Sequence, residues 1–208
     1  GVGGSYREVE FDSFGVPKAE RGQRLEEGVQ LINRLLTEEN VTFEGEIYSV
    51  EDVTLSIQPA EDIPIWIAAN SDAAVRRAAR LSDGWFVNPH STLTEVEEQK
   101  TNVYDPVRNE RGEPTSVPVF RECFVAPTTE EAIEVSRKYL EQKYARYVEW
   151  GQHEAMEDSS ELQQQFEKLA EDRFILGTPS EVCAELERYE EQLDMDLAML
   201  RLNWPGLS

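Results

Sequence analysis

The chain has 208 residues, of which 42 are acidic and 20 basic, for a formal net charge of −22. That balance excludes nucleic acid as a partner, because a phosphate backbone is bound by a surplus of Lys and Arg. No apolar run reaches membrane-spanning length and no secretory leader pattern is seen, so the sequence predicts a soluble, cytoplasmic protein of one domain with no membrane contact. The acids are spread along the whole chain, and only Lys18, Lys100, Lys138, Lys143 and Lys168 supply ammonium groups. Such a surface repels itself unless salt screens it, which leads us to expect a halophilic protein. Cys123 and Cys183 lack metal-ligand spacing and read as buried thiols.

In chain order, residues 1–5 (GVGGS) read as the end of a strand running into a glycine-rich turn, and residues 6–15 as a loop carrying Glu8, Glu10 and Asp12. From Arg21 the spacing of Leu25, Val29, Ile32 and Leu36 predicts a helix, which Asn40 ends. Residues 41–43 and 47–50 alternate as a small surface hairpin around Glu44 and Gly45. Residues 63–69 are a nearly continuous apolar run, the mark of a buried parallel strand. The chain then turns through Asn70 and Ser71 into a helix with Val75, Ala78 and Ala79 inward and Ser71 or Asp72 as its cap. Asp83 and Gly84 end that helix, and a second strand follows at 85–87.

Beyond Asn88, Pro89 and His90 a weaker helix runs from Thr94 through Val96, Val103 and Val107 to Gly112. The strand at 117–125 carries Arg121 and Glu122 in its middle, where at least one needs a polar partner. Thr128 and Glu131 suit a capping box opening a long helix through Ile133, Leu140, Tyr144, Tyr147 and Val148. Residues 151–172 are polar, helical in part around Leu162, Phe166 and Leu169, and suit a mobile excursion in which His153 is exposed. Thr178 and Glu181 form a second capping box with Pro179 at the first helical position, and Val182, Leu186, Tyr189 and Leu193 share one face. Residues 197–202 are the last strand. Strand and helix in alternation imply an α/β protein with a parallel sheet, either doubly wound or part of a barrel.

The turn at Ala68, Ala69, Asn70 and Ser71 places small residues between a strand's carboxyl end and a helix N-terminus. Free backbone N–H groups and the positive helix dipole suit an anion there, although an ordinary turn without a ligand has the same spacing. Asn88 and His90 stand at the carboxyl end of the next strand. His90 reads either as a proton shuttle at neutral pH or, as the plainer option, a loop residue bonded to water. Arg201 could pair with a phosphate or with an interior carboxylate such as Glu122.

Five pieces, GVGGSYREVEFDSFGVP, the helix from Leu25 to Leu36, FEGEIYSV, PIWIAANSDAAVRRAARLSDGWFV and GTPSEVCAELERYEEQLDMDLAMLRLNWPG, cover most of the chain. Together and in this order they resemble the bacterial-luciferase-like flavin- or deazaflavin-dependent oxidoreductases. That resemblance implies a TIM (β/α)8 barrel binding FMN or coenzyme F-420 at the carboxyl ends of its strands, with hydride chemistry supplied by the coenzyme. It implies that Gly3, Gly4, Ser5 and Tyr6 lie beside the ribityl chain and ring, and that Ala68, Ala69, Asn70 and Ser71 hold the phosphate or ribityl tail. The chain would correspond to about strands 4 to 8, an incomplete barrel whose two open edges pair with another copy or with missing strands. No metal site is expected, and His90 is the only catalytic candidate. The function expected is an oxidoreductase or monooxygenase acting on a small molecule; the alternative is a non-catalytic or degenerate flavin-binding protein.

Overall fold

A computed structural model describes residues 1–151, 165–204 and 206–207. Strand β1 (Val2–Gly3) leads to α1 (Glu8–Phe14), then α2 (Arg21–Thr37) and an antiparallel hairpin, β2 (Val41–Glu44) and β3 (Ser49–Val53). Next come β4 (Trp66–Ala68), α3 (Asp72–Leu81) and β5 (Gly84–Phe86). A bent helical segment follows, α4 (Leu93–Gln99) and α5 (Asp105–Arg111), joined by one π-helical stretch at Lys100–Tyr104. The wider π turn carries both Val103 and Tyr104 inward, which accounts for the loose recurrence of valines in that region. The chain continues with β6 (Val119–Val125), α6 (Thr129–Glu149), α7 (Phe166–Ala170), β7 (Ile175–Gly177), α8 (Pro179–Leu193) and β8 (Ala198–Arg201). No helix among the described residues is long and apolar enough to cross a membrane.

The strands other than the hairpin pair in parallel. One set runs β1-β4-β5, the other β7-β6-β8, and a parallel bridge between Val87 and Val119 links them. This is the α/β organisation expected from the alternating elements. Two cores form. The larger gathers Ile67, Val75, Ala78, Trp85, Leu93 and Val119 under α3 and the bent helix. The smaller is aromatic, with Leu140, Tyr144, Phe166, Phe174 and Trp204 between α6 and α7. Arg108 is buried and locks the far end of α3 to the segment before β6: its Nη1 donates to Ser82 O at 2.9 Å and its Nε to Pro114 O at 3.0 Å.

Four expectations need correction. Residues 6–15 are not a loop throughout. Helix α1 occupies Glu8–Phe14 and ends at Gly15 with φ 62°; its acids Glu8 and Glu10 favour the positive end of its dipole, and it buries no residue, so no apolar stripe announced it. Cys183 is exposed rather than buried, because α8 turns Val182, Tyr189 and Leu193 inward and leaves its neighbour outside. Cys123 is buried, and burial pushes its thiol up to about 11. The sequence reading has no strand between residue 172 and the box at Thr178, yet β7 stands there beside β6, too short at three residues to show a pattern. Neither Ser71 nor Asp72 caps α3 through its side chain. In the excursion, Phe166 and Leu169 sit in α7, while 152–164, with Leu162 and His153, lie outside the described residues.

Candidate functional site

A cavity of about 520 Å³ opens between the carboxyl ends of β1 and β4 and the start of α3. Its lining includes Gly3, Gly4, Ser5 and Tyr6 on one side and Ala68, Ala69, Asn70 and Ser71 on the other, with Asn88 and His90 at its end. Parallel pairing makes this arrangement, because Gly3 stands in register with Ala68, and Ala68 with Phe86. All eight residues singled out from the two small-residue turns therefore meet around one space. A Cβ built on Gly3 would touch the Ala68 methyl at 3.6 Å, and one built on Gly4 would meet nothing within 4 Å. The side chains leave the corner open, and the volume lies in the range of small-molecule and coenzyme sites.

The wall formed by β4 and α3 is firmly held. Trp85 Nε1 donates to Ala69 O at 2.9 Å, and Gln99 Nε2 donates to Asn70 O at 2.8 Å. The N-terminus of α3 itself is bare: Ser71 is extended at φ −86°, ψ 153°, and no side chain accepts from the first-turn N–H groups. Among the described residues, the N–H groups of Asp72, Ala73 and Ala74 thus have no protein acceptor, and Ala73 and Ala74 line the cavity. Two cations that the sequence reading passed over add to this field. Arg77 lies on the same helix and pairs with Glu26 at 2.8 Å, while Arg21 lies at the start of α2, reaches Ser5 O at 3.4 Å and has no carboxylate partner among the described residues. One signal was available for Arg77, which stands three residues beyond Ala74, on the face of α3 that Ala73 and Ala74 share; none was available for Arg21, which folding alone brings to the cavity.

At the end of the cavity Asn88 Nδ2 donates to Asn70 Oδ1, and His90 Nδ1 meets Asn88 Oδ1. That same oxygen accepts the His90 backbone N–H at 3.2 Å, so it is an acceptor and His90 carries its proton on Nδ1. Nε2 is left as a bare acceptor, buried and without a partner. The loop carrying this histidine is held by three buried side chains: Arg121 Nη1 donates to Asn88 O at 2.8 Å, the Tyr144 hydroxyl to Pro89 O at 2.8 Å and Arg173 Nε to His90 O at 2.6 Å. Burial, reinforced by the positive charges of Lys143, Arg173, Arg121 and Arg201, lowers the imidazole from 6.5 to about 3. Both readings made from the sequence are corrected by this. A ring that stays neutral throughout the physiological range shuttles no proton there, and one that is 8% exposed is no loosely hydrated loop residue.

Beside it, in the middle of β6 where that strand pairs with β8, Arg121 and Glu122 are both fully buried. Glu122 is paired with Lys143, with Arg201 Nη1 at 3.4 Å, and accepts from Trp204 Nε1 at 2.7 Å. Arg121 Nε donates to the Tyr189 hydroxyl at 2.7 Å. Of the two partners weighed for Arg201, the interior carboxylate is the one in place. Burial lowers the Lys143 ammonium from its usual range, and its contact with Glu122 opposes that shift. No group of three metal-ligating side chains converges among the described residues.

Known proteins share this architecture. The chain is 44% identical over 86 residues to an F420-dependent glucose-6-phosphate dehydrogenase of Nakamurella multipartita, a match covering 41% of this chain and 25% of that protein. Over 210 residues it is 28% identical to the protein of the same name from Microbacterium testaceum, covering 99% of this chain and 62% of the relative. The chain thus spans less than two thirds of the length of either. Among solved structures, the monooxygenase RslO1 from Streptomyces bottropensis superposes with a TM-score of 0.81 at 21% identity, over 99% of this chain and 61% of that one. The fold is therefore that of these enzymes. The sequence pattern of one family, described as luciferase-like monooxygenase, runs through residues 1–195, across both walls of the cavity and every strand but β8, and this chain belongs to that family.

Proposed function

We propose that the cavity between β1, β4 and α3 binds FMN or coenzyme F-420, and that the chain belongs to an oxidoreductase acting on a small-molecule substrate beside it. The observation that carries this reading is the meeting, in one space, of a bare helix N-terminus and a glycine backbone, with the unpartnered His90 Nε2 at its end. In this reading the strands form an arc of a (β/α)8 barrel, where ligands sit at the carboxyl ends. The N–H groups of Asp72, Ala73 and Ala74, with Arg21 beside them, take the phosphate of the coenzyme tail. Gly3, Gly4, Ala68 and Ala69 allow a ribityl chain and a flat ring to lie close to the backbone. His90, fixed by Asn88 and uncharged, offers Nε2 to a hydroxyl or N–H donor and keeps the end of the cavity free of a competing charge. Bound flavin or deazaflavin would supply hydride transfer, which no side chain here supplies. The names of both curated relatives support the deazaflavin of the two coenzymes.

Titration with FMN and with F-420, followed by ligand fluorescence in molar KCl, tests the proposal. One of the two is expected to bind with a dissociation constant in the micromolar range, about −8 kcal/mol. Failure of both sinks it, and binding without hydride transfer to or from any substrate identifies a non-catalytic binder. Far-ultraviolet circular dichroism on the same samples, dialysed to low salt, tests the halophilic reading: helix content falls if the charge of −22 needs screening.

A further inference from the structure

We propose that Gln99 is a positioning residue that keeps the anion seat on α3 open by holding the Asp72 carboxylate away from it; this rests on the coenzyme reading above. Asp72 is the first residue of α3, where a carboxylate is drawn to the free N–H groups and positive dipole of the first turn. Left to itself it would compete with an incoming phosphate for those donors. It does not do so here. Gln99, on the neighbouring α4 and only 7% exposed, donates one amide proton to Asp72 Oδ1 at 3.0 Å and the other to Asn70 O at 2.8 Å.

The direction of this amide is forced, since turning it over would bring its oxygen against two other acceptors. Its Oε1 is accordingly buried with no donor of its own, so both donors serve the turn while the acceptor goes unused. Ser71, the other residue able to cap, accepts the Val75 N–H with its carbonyl at 2.8 Å, but its side chain bonds to nothing in the first turn. With both caps absent, the first-turn N–H groups have no acceptor among the described residues, and two of them belong to Ala73 and Ala74, which line the cavity. A second feature of that cavity also points to a ligand: the His90 imidazole, more than nine-tenths buried, leaves Nε2 unpartnered.

The test compares each coenzyme with its phosphate-free core, FMN against riboflavin and F-420 against its deazariboflavin core, in four proteins: wild type, Gln99→Met, Asp72→Ala and the double variant. Methionine matches the shape of glutamine and removes both donors. In Gln99→Met the phosphate-bearing ligand is expected to bind about tenfold more weakly, while the core is unaffected. Asp72→Ala, which keeps the backbone N–H, is the reference against which the double variant is read. The double variant recovers the loss, because the competing carboxylate is gone. A purely structural role for Gln99 would weaken core and coenzyme alike and would not be rescued, and either outcome overturns the proposal. So does an unchanged Gln99→Met protein, provided thermal unfolding shows it folded; Gln99→Leu serves in the same comparison if the methionine variant is not. Wild type that binds a coenzyme no better than its core removes the phosphate seat itself, which is a failure of the coenzyme reading and is told apart by the first arm alone.

Discussion

Two strand ends lie side by side in this molecule and handle charge in opposite ways. Where β4 runs into α3, the chain uses small residues and leaves backbone donors unanswered. Where β8 ends against the middle of β6, it fills the space with side chains that answer one another: Glu122 holds Lys143, Arg201 and Trp204, and Arg121 holds Tyr189 and the Asn88 carbonyl. Open donors cost little while water reaches them and become useful when a ligand replaces it. Buried charges are tolerated only when each has its partner. The first end is suited to binding, the second to holding the loop of His90 in place.

Glu122→Ala breaks this contrast most severely. It strands Lys143 and removes the acceptor of Trp204, and equilibrium unfolding should show a loss of about 3 kcal/mol, at the low end of such changes because Arg201 keeps 36% of its side chain in solvent. At the other end the effects reverse. Ala68→Phe fills the corner facing Gly3 and is expected to weaken coenzyme binding about 100-fold, or 2.7 kcal/mol by titration, with little change in the unfolding midpoint.

The smallest of the three effects sharpens the comparison through pH. His90 is lowered in the folded protein, so the unfolded chain takes up a proton first as pH falls below about 6.5. Stability from this group is complete above that pH and is lost on the way down to about 3, at up to roughly 1.4 kcal/mol per pH unit. Between about pH 6.5 and 5 this amounts to about 2 kcal/mol, which His90→Gln should remove from the urea midpoint profile. Lowered carboxyls such as Glu181, held down from 4.5 to about 2 by Thr129 and Thr178, contribute fully throughout that window and lose their contribution only below it.

The two small-residue turns were legible in the sequence because the signal is local: an apolar run, a turn, then a capped or cappable helix. Register then does the rest, placing Gly3 against Ala68. The long amphipathic helices were legible for the same reason, as were both Pro179 and the Thr178 box. What the sequence withheld depends on contacts distant along the chain. Gln99 and Asp72 stand 27 residues apart, and nothing in either neighbourhood marks the amide as a donor to that carboxylate. The neutral state of His90 arises first from burial and then from cations on β6, α6, β8 and the segment before β7, none adjacent to it in sequence. Strand β7 failed to appear because three residues are too few to show an alternation. Helix α1 escaped because a helix that buries nothing has no periodicity to show.

The clamp made by Arg108 bears on the walls of the cavity. With that guanidinium fixing the tail of α3, and Trp85 and Gln99 fixing its approach, this helix is a bar bolted at both ends. The facing wall is tied by the pairing of Gly3 with Ala68, by Arg21 on Ser5 O at 3.4 Å and by Arg7 over the Trp150 ring. A guest in the cavity therefore lies against one wall that buried side chains hold at both ends.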